Sequence, residues 1–391
     1  MNLIIKLFAS ALALVFFSIS LQSIHAQQKL RARDLGIPFE GKTGTYNAIT
    51  DVFGVMVGYK TLIKDQDDLS TQNGSVRTGV TVILPKGKSE TPVPAGWFCL
   101  NGDGEMTGTT FIEEYGFNTG PIGITNTNSV GVVRDAIGEW NIKNFSSGNA
   151  FDFAFGLPVV AETFDGVLND INGLHIKKQD VFEALNTAKP GPVEEGNVGG
   201  GTGMCLFYYK GGSGTASREI TIANQKYTLG AFVQGNFGAR KDLIIAGIPV
   251  GLELTSAQPI INSKEKDGSI IVIVATDAPL LPTQLKQIAK RVSIGIAKTG
   301  GFGRNSSGDI FLAFSTATPE FDKETKLINW KSIPKGHMDA LYNATVEATE
   351  EAVINALVAA ETMQGINGNT FFEIPKTELQ DILKKYNRLK K

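Results

Sequence analysis

One serine in this chain stands where it could act as a nucleophile without help from a histidine. Ser269 follows Gly268 at the join between a charged stretch, Lys264 to Asp267, and an apolar run, Ile270 to Ala275. A serine hydroxyl is a poor nucleophile until something takes its proton. Cutting the chain just before Ser269 would place a new α-amino group beside Oγ. That amine, with a reference pKa of about 8, is partly neutral at working pH and can serve as the base. Glycine suits the position before the cut, because it lacks a Cβ to hold Oγ away from the preceding carbonyl and tolerates a strained backbone. A second reading competes. Asp-Gly flanked by apolar runs is also a common hairpin turn, and the local residues alone favour it.

Other chemistries lack their residues. The histidines are His25, His175 and His337, with no His-Glu-x-x-His, no paired His/Cys cluster and no EF-hand loop, so no metal ligand set is expected. There is no G-x-S-x-G elbow. Gly36 to Thr43, "GIPFEGKT", matches the phosphate-loop expression letter for letter. That mechanism needs a buried strand before the loop and a helix after it. "QQKLRARDL" and "GTYNAITDV" offer neither, so an ordinary N-terminal loop is expected. Cys99 and Cys205 both lie in apolar context and read as buried free thiols.

The elements that must position Ser269 follow from composition and pattern. The chain has 391 residues, 42% hydrophobic, with a net charge of −2. This suits a globular protein and gives no basic excess to neutralise nucleic-acid phosphates. Residues 1–26 read as a secretory signal: Lys6, an apolar stretch from Leu7 to Ile19, and Ala26 at the cut. A periplasmic protein is expected. Short strands are predicted over Asp51–Gly58 and Thr78–Leu84, and helices over Val132–Ile137 and Gln179–Ala188. Leu206 to Arg218 reads as a strand followed by a glycine loop. A buried strand after Ser269 precedes a helix over Thr283–Lys298 and the strand "DIFLAFST". The spacing predicts a long helix over Met338–Met363, with Val346, Val353, Leu357 and Ala360 on one face, and a last helix after Pro375. The mixture points to strand layers covered by helices.

Many motifs, taken in order, resemble one family. They are "RARDLGIPFEG", "NAITDVFGVMVG", "ITNTNSVG", "VVAETFDGVLNDI", "GNVGGGTGM", "GGSGTASR", "VQGNFG", "DGSIIVIVATDAPLLP", "SSGDIFLAFST" and "EATEEAVINAL". Together they cover nearly the whole mature chain and resemble the DmpA-type L-aminopeptidase/D-esterase and β-peptidyl aminopeptidase family of self-processing N-terminal serine peptidases. The resemblance implies an α+β, four-layer αββα sandwich of the N-terminal-nucleophile-hydrolase type. It implies a single catalytic domain over 27–391, self-cleaved into 27–268 and 269–391. Gly268-Ser269 would be the cut and Ser269 the nucleophile. Ser307 and Asp309 in "SSGD" match the family's second catalytic serine, bonded to the nucleophile, and its carboxylate. Asn236 matches the oxyanion-hole asparagine, and Glu162 the carboxylate that binds the substrate's amino group. Phe164 stands where some members have Tyr. No cofactor is implied. The expected partners are small peptides, amides or esters with a free amino terminus, and further copies of the chain as a tetramer of processed heterodimers. Two alternatives are a self-cleaving acyltransferase of the ornithine acetyltransferase type and a non-catalytic periplasmic binding protein.

Overall fold

The computed structural model describes residues 29–65, 74–146, 156–262 and 268–390. The expected signal segment and the charged stretch 264–267 lie outside the described residues. The strands that matter here are β1 (Met56–Lys64), β2 (Val76–Leu84), β3 (Val93–Gly102), β4 (Phe117–Asn118), β5 (Ile122–Asn126) and β6 (Val159–Thr163), then β7 (Cys205–Leu206), β8 (Tyr209–Lys210), β9 (Gly212–Ile222), β10 (Gln225–Asn236), β11 (Ser269–Thr276) and β12 (Gly308–Ser315). The helices are α1 (Thr109–Tyr115), α2 (Val130–Phe145), α3 (Lys178–Thr187), α4 (Pro282–Lys298), α5 (Asp339–Val358) and α6 (Lys376–Lys385).

A four-stranded sheet in the order β1-β2-β5-β6 faces a six-stranded sheet in the order β4-β3-β12-β11-β10-β9. Ile83, Ile122, Ile124 and Ala161 from the first pack against Phe232, Ile271, Ile273 and Leu312 from the second. Helices α2 and α3 cover the outer face of the smaller sheet, and α4 and α5 that of the larger. The result is the four-layer αββα sandwich.

Strand β11 is buried on both faces. Side chains alternate faces along a strand. Ile270, Val272 and Val274 pack toward the helices, while Ile271, Ile273 and Ala275 pack into the seam between the sheets. All are fully buried, and each Ile or Val contributes about 1.5–3 kcal/mol. A continuous apolar run is what a strand covered on both faces requires. Helix α4 follows from Pro282 at its first turn and a buried stripe of Leu285, Ile288, Ala289, Val292 and Ile296.

Three expectations change. The first strand begins at Met56, because Ile49–Asp51 forms a short helical turn before it. "GGSGTASR" is mostly strand β9 rather than a loop. Its glycines serve contact: a Cβ on Gly214 would meet Ala352 O of α5 at 2.1 Å. Helix α5 stops at Val358, and from Glu351 onward it is buried on every side rather than along one stripe. The phosphate-loop lookalike is a loop without a following helix, and Lys42 forms an isolated bridge to Glu219. Among the described residues no helix is long and apolar enough to cross a membrane.

Candidate active site

Ser269 is the first residue of β11, and the sheet register sets its neighbours. Antiparallel pairing puts it opposite Asn236, the last residue of β10. Parallel pairing puts it beside Gly308, the first of β12, whose N–H donates to Ser269 Oγ at 3.3 Å. The hairpin reading of Asp267-Gly268 does not hold, because the strand paired with β11 ends at Asn236, far back in the chain. Alternation turns Ser269 to the same face as Ile271 and Ile273, into the seam between the sheets. Gly268 is pressed against β10, where a Cβ would stand 1.6 Å from Asn236 O.

Glu162 lies on β6 and is only 3% exposed. Residues 106–107 run along that edge of the sheet: Met106 bridges Ala161, and Thr107 N donates to Val160 O at 2.9 Å. This brings Glu105 N to Glu162 Oε1 at 3.1 Å, while the hydroxyl of Thr127 donates to Oε2. Glu162 shares a cavity of about 200 Å³ with Ser269, Asp103, Glu105, Thr127 and Phe164. Its charged lining residues are all acidic, which suits a substrate carrying an ammonium group. Thr127 stood unassigned in "ITNTNSVG", since nothing in one chain links a hydroxyl at 127 to a carboxylate at 162.

Asn236 is held at both ends of its amide. Oδ1 accepts from Cys205 N at 2.8 Å, and Nδ2 donates to Phe164 O at 2.8 Å. One Nδ2 hydrogen is thus spent on fixing the group, and an amide NH₂ carries a second. Phe164 contributes its carbonyl here as well as its ring to the cavity wall. The "SSGD" loop behaves differently from the expectation of a hydroxyl bonded to Ser269. Ser307 Oγ donates to Asp309 Oδ1 at 2.7 Å, and the contact to Ser269 comes from the backbone of the residue between them. Burial pushes the Asp309 carboxyl above its ordinary range, partly offset by the Ser307 hydroxyl and the Ile270 amide. A β-bulge between Asp309 and Ile310 interrupts the pairing of β12 with β3 beside this carboxylate. Cys99 and Cys205 are free, as expected, but neither is fully buried, and Cys205 lines a cavity next to Asn236. His175 contacts Asp170 at 3.0 Å, away from the site. Among the described residues no three His, Cys, Asp or Glu side chains cluster to hold a metal.

Asp165, next to Phe164, is fully buried. Asn169 Nδ2 donates to its Oδ1 at 3.0 Å, while Oδ2 has no hydrogen-bond partner. Burial pushes the carboxyl up from 3.8 to about 7; Thr78, Asn169 and Asn126 lie close enough to pull the other way without winning. A raised carboxyl stabilises the fold while protonated, and that stability is lost as pH rises from near 4 through about 7. At about 1.4 kcal/mol per pH unit, the loss reaches about 4 kcal/mol. Asp165→Asn is therefore expected to gain on wild type steadily between pH 4 and 7, and by a constant amount above that. Parallel melting-temperature curves for the two proteins over this range would refute the assignment.

The arrangement has known counterparts. The model of peptidase family S58 matches residues 47–371. The chain belongs to that family. A β-peptidyl aminopeptidase, BapA, of Sphingosinicella microcystinivorans is 51% identical over 373 residues, covering 92% of this chain and 93% of that one. The L-aminopeptidase D-Ala-esterase/amidase of Ochrobactrum anthropi, a prototype for the serine aminopeptidases and a variant of the Ntn-hydrolase fold, superposes with a TM-score of 0.86 at 45% identity, covering 92% of this chain and 99% of that one. A Burkholderia β-aminopeptidase gives a TM-score of 0.82 at 43% identity, covering 91% and 99%. As an S58 peptidase, the protein is a serine aminopeptidase of the N-terminal-nucleophile type. Its S58 fold is the Ntn-hydrolase-like sandwich described above.

Proposed function

We propose that the chain cuts itself between Gly268 and Ser269, and that Ser269 then releases N-terminal residues from short peptides, amides or esters. The observation that carries this reading is the placement of Ser269. It heads a buried strand beside Asn236, follows a glycine with no room for a Cβ, and opens into the acidic cavity of Glu162. In self-cleavage, Oγ attacks the Gly268 carbonyl, the Gly268–Ser269 C–N bond breaks to free the Ser269 amine and leave an ester on Oγ, and water hydrolyses that ester to free the hydroxyl and the Gly268 carboxylate. In turnover, Glu162 takes the substrate ammonium and fixes the first carbonyl at Oγ. The Ser269 amine accepts the hydroxyl proton as Oγ attacks, then passes it to the departing amine or alcohol. Asn236 Nδ2 donates to the oxyanion, a contribution worth about 2.7–4 kcal/mol. Water, deprotonated by the same amine, hydrolyses the acyl ester. Asp309 holds Ser307, and with it the Gly308 N–H against Oγ.

The names of the relatives suggest β-, D- or L-residues at the substrate's amino terminus. We extend the proposal to export into the periplasm and assembly of four processed heterodimers. On a denaturing gel, purified wild type is expected to give two fragments, the smaller beginning at Ser269, and Ser269→Ala one intact chain. A wild type that stays whole after long incubation would sink the reading. Hydrolysis of p-nitroanilides of each residue type then fixes the preference.

A further inference from the structure

The hairpin that presents Cys205 N–H to Asn236 is built under strain. Strands β7 and β8 are joined by Phe207-Tyr208, both left-handed, at φ +51° and +61°. Two-residue turns of this hand are ordinarily made by Asn-Gly, and a bulky side chain there is strained. The surroundings hold the turn in place. Phe207 N donates to Phe237 O at 2.8 Å, and the two rings meet edge-on at 5.0 Å. The buried Lys210 ammonium donates to Met204 O and Gly211 O, each at 2.7 Å, tying the two ends of the hairpin together. Strain that persists at a site invites the question of what it is for.

Tyr208 answers it by lining a second cavity, of about 100 Å³, beyond Asn236 and Gly268. Much of the wall is aromatic and aliphatic, from Phe164, Val167, Tyr208, Phe237, Ile261 and Phe371, with Asn236, Cys205 and Arg304 beside them. The charged side chain in the lining, Arg304, is paired with Asp242 at 2.7 Å. Phe164 belongs to both cavities, so the acidic and apolar chambers meet at the reaction centre. An ammonium in the acidic chamber and a carbonyl at Ser269 and Asn236 leave the apolar chamber for whatever follows the scissile bond. Its enclosed part is smaller than the roughly 150 Å³ that holds a benzene ring, but the cavity is open to solvent on one side, so a ring or branched side chain can enter it partway.

We propose that the Cys205–Lys210 hairpin is a specificity element whose apolar cavity binds the leaving group, an aromatic or branched aliphatic residue or an aryl amine. This rests on the roles proposed for Ser269 and Glu162. The test compares two substrates with the same N-terminal residue: the p-nitroanilide, and the primary amide, whose leaving group is ammonia. The measured quantity is the ratio of kcat/KM, anilide over amide, which cancels effects on the shared half. Tyr208→Gly removes the wall and is at ease at positive φ. Val167→Phe instead fills the cavity. Each is expected to lower the ratio at least fivefold against wild type. A change below twofold in either variant would overturn the inference while leaving the aminopeptidase intact. No turnover of either substrate by processed wild type would overturn both readings.

Discussion

Gly268→Ala is expected to accumulate as a single, uncut and inactive chain. A Cβ at 268 would stand 1.6 Å from Asn236 O, 2.5 Å from Asn236 C and 2.7 Å from Phe237 Cα. All three are backbone atoms of β10 or its exit, so no rotamer change relieves the clash. One strand end must move, and the ends concerned carry Ser269 and Asn236. Misplacing reacting groups by about 1 Å costs about 100-fold in rate. Self-cleavage should slow by at least that much, read as fragment appearance on a denaturing gel. Gly131→Ala in α2, where an added Cβ meets nothing within 4 Å, is the control and should be processed like wild type. Normal processing of Gly268→Ala would show that the close approach does not govern the cut.

How much of this could be read in the sequence depends on the range of each interaction. The run Ile270 to Ala275 and the stripe of α4 carry their own periodicity, so β11 and the helix after it were legible. Gly214 of β9 was not, because its reason lies in α5, more than a hundred residues on. The turn at Phe207-Tyr208 carries no turn signal, since aromatic residues occupy it against their backbone preference. Read locally, Ser269 followed an unremarkable Asp-Gly. Only the pairing of β10 with β11 brings Asn236 opposite it, and only the seam between the sheets brings Glu162 into its cavity. The resemblance of the motifs named these residues. The contacts that hold them, from Thr127, Glu105 and Cys205, come from backbone geometry and single hydroxyls that no spacing rule marks.

Glu351→Ala is expected to let the processed halves come apart. The Glu351 side chain is fully buried in α5 and takes four donors. Arg33 approaches bidentately at 2.7 Å on both oxygens, Arg218 at 2.8 Å and Asn47 at 2.6 Å. All three partners precede residue 268, whereas Glu351 follows it, so after a cut this cluster spans the two pieces. Asn355, one turn on, adds a bond from Ala32 N at 3.0 Å and one to Thr215 O at 2.9 Å. Burial pushes the Glu351 carboxyl up, but the guanidinium groups and Asn47 outweigh it and hold it below the ordinary range. The stability it contributes is therefore present above the usual carboxylate range and lost as pH falls through the lowered value. Removing the carboxylate leaves Arg218, itself 1% exposed, with Glu347 as its remaining carboxylate partner. Breaking a buried pair in this way costs about 3–5 kcal/mol, a large share of a typical folding free energy. Size-exclusion chromatography of processed Glu351→Ala should separate the fragments, and thermal unfolding should show a melting temperature several degrees lower. Glu351→Gln, which keeps the shape and one acceptor, should fall between. A Glu351→Ala protein that elutes and melts like wild type would show that the apolar contacts between α5 and β9 hold the pieces unaided.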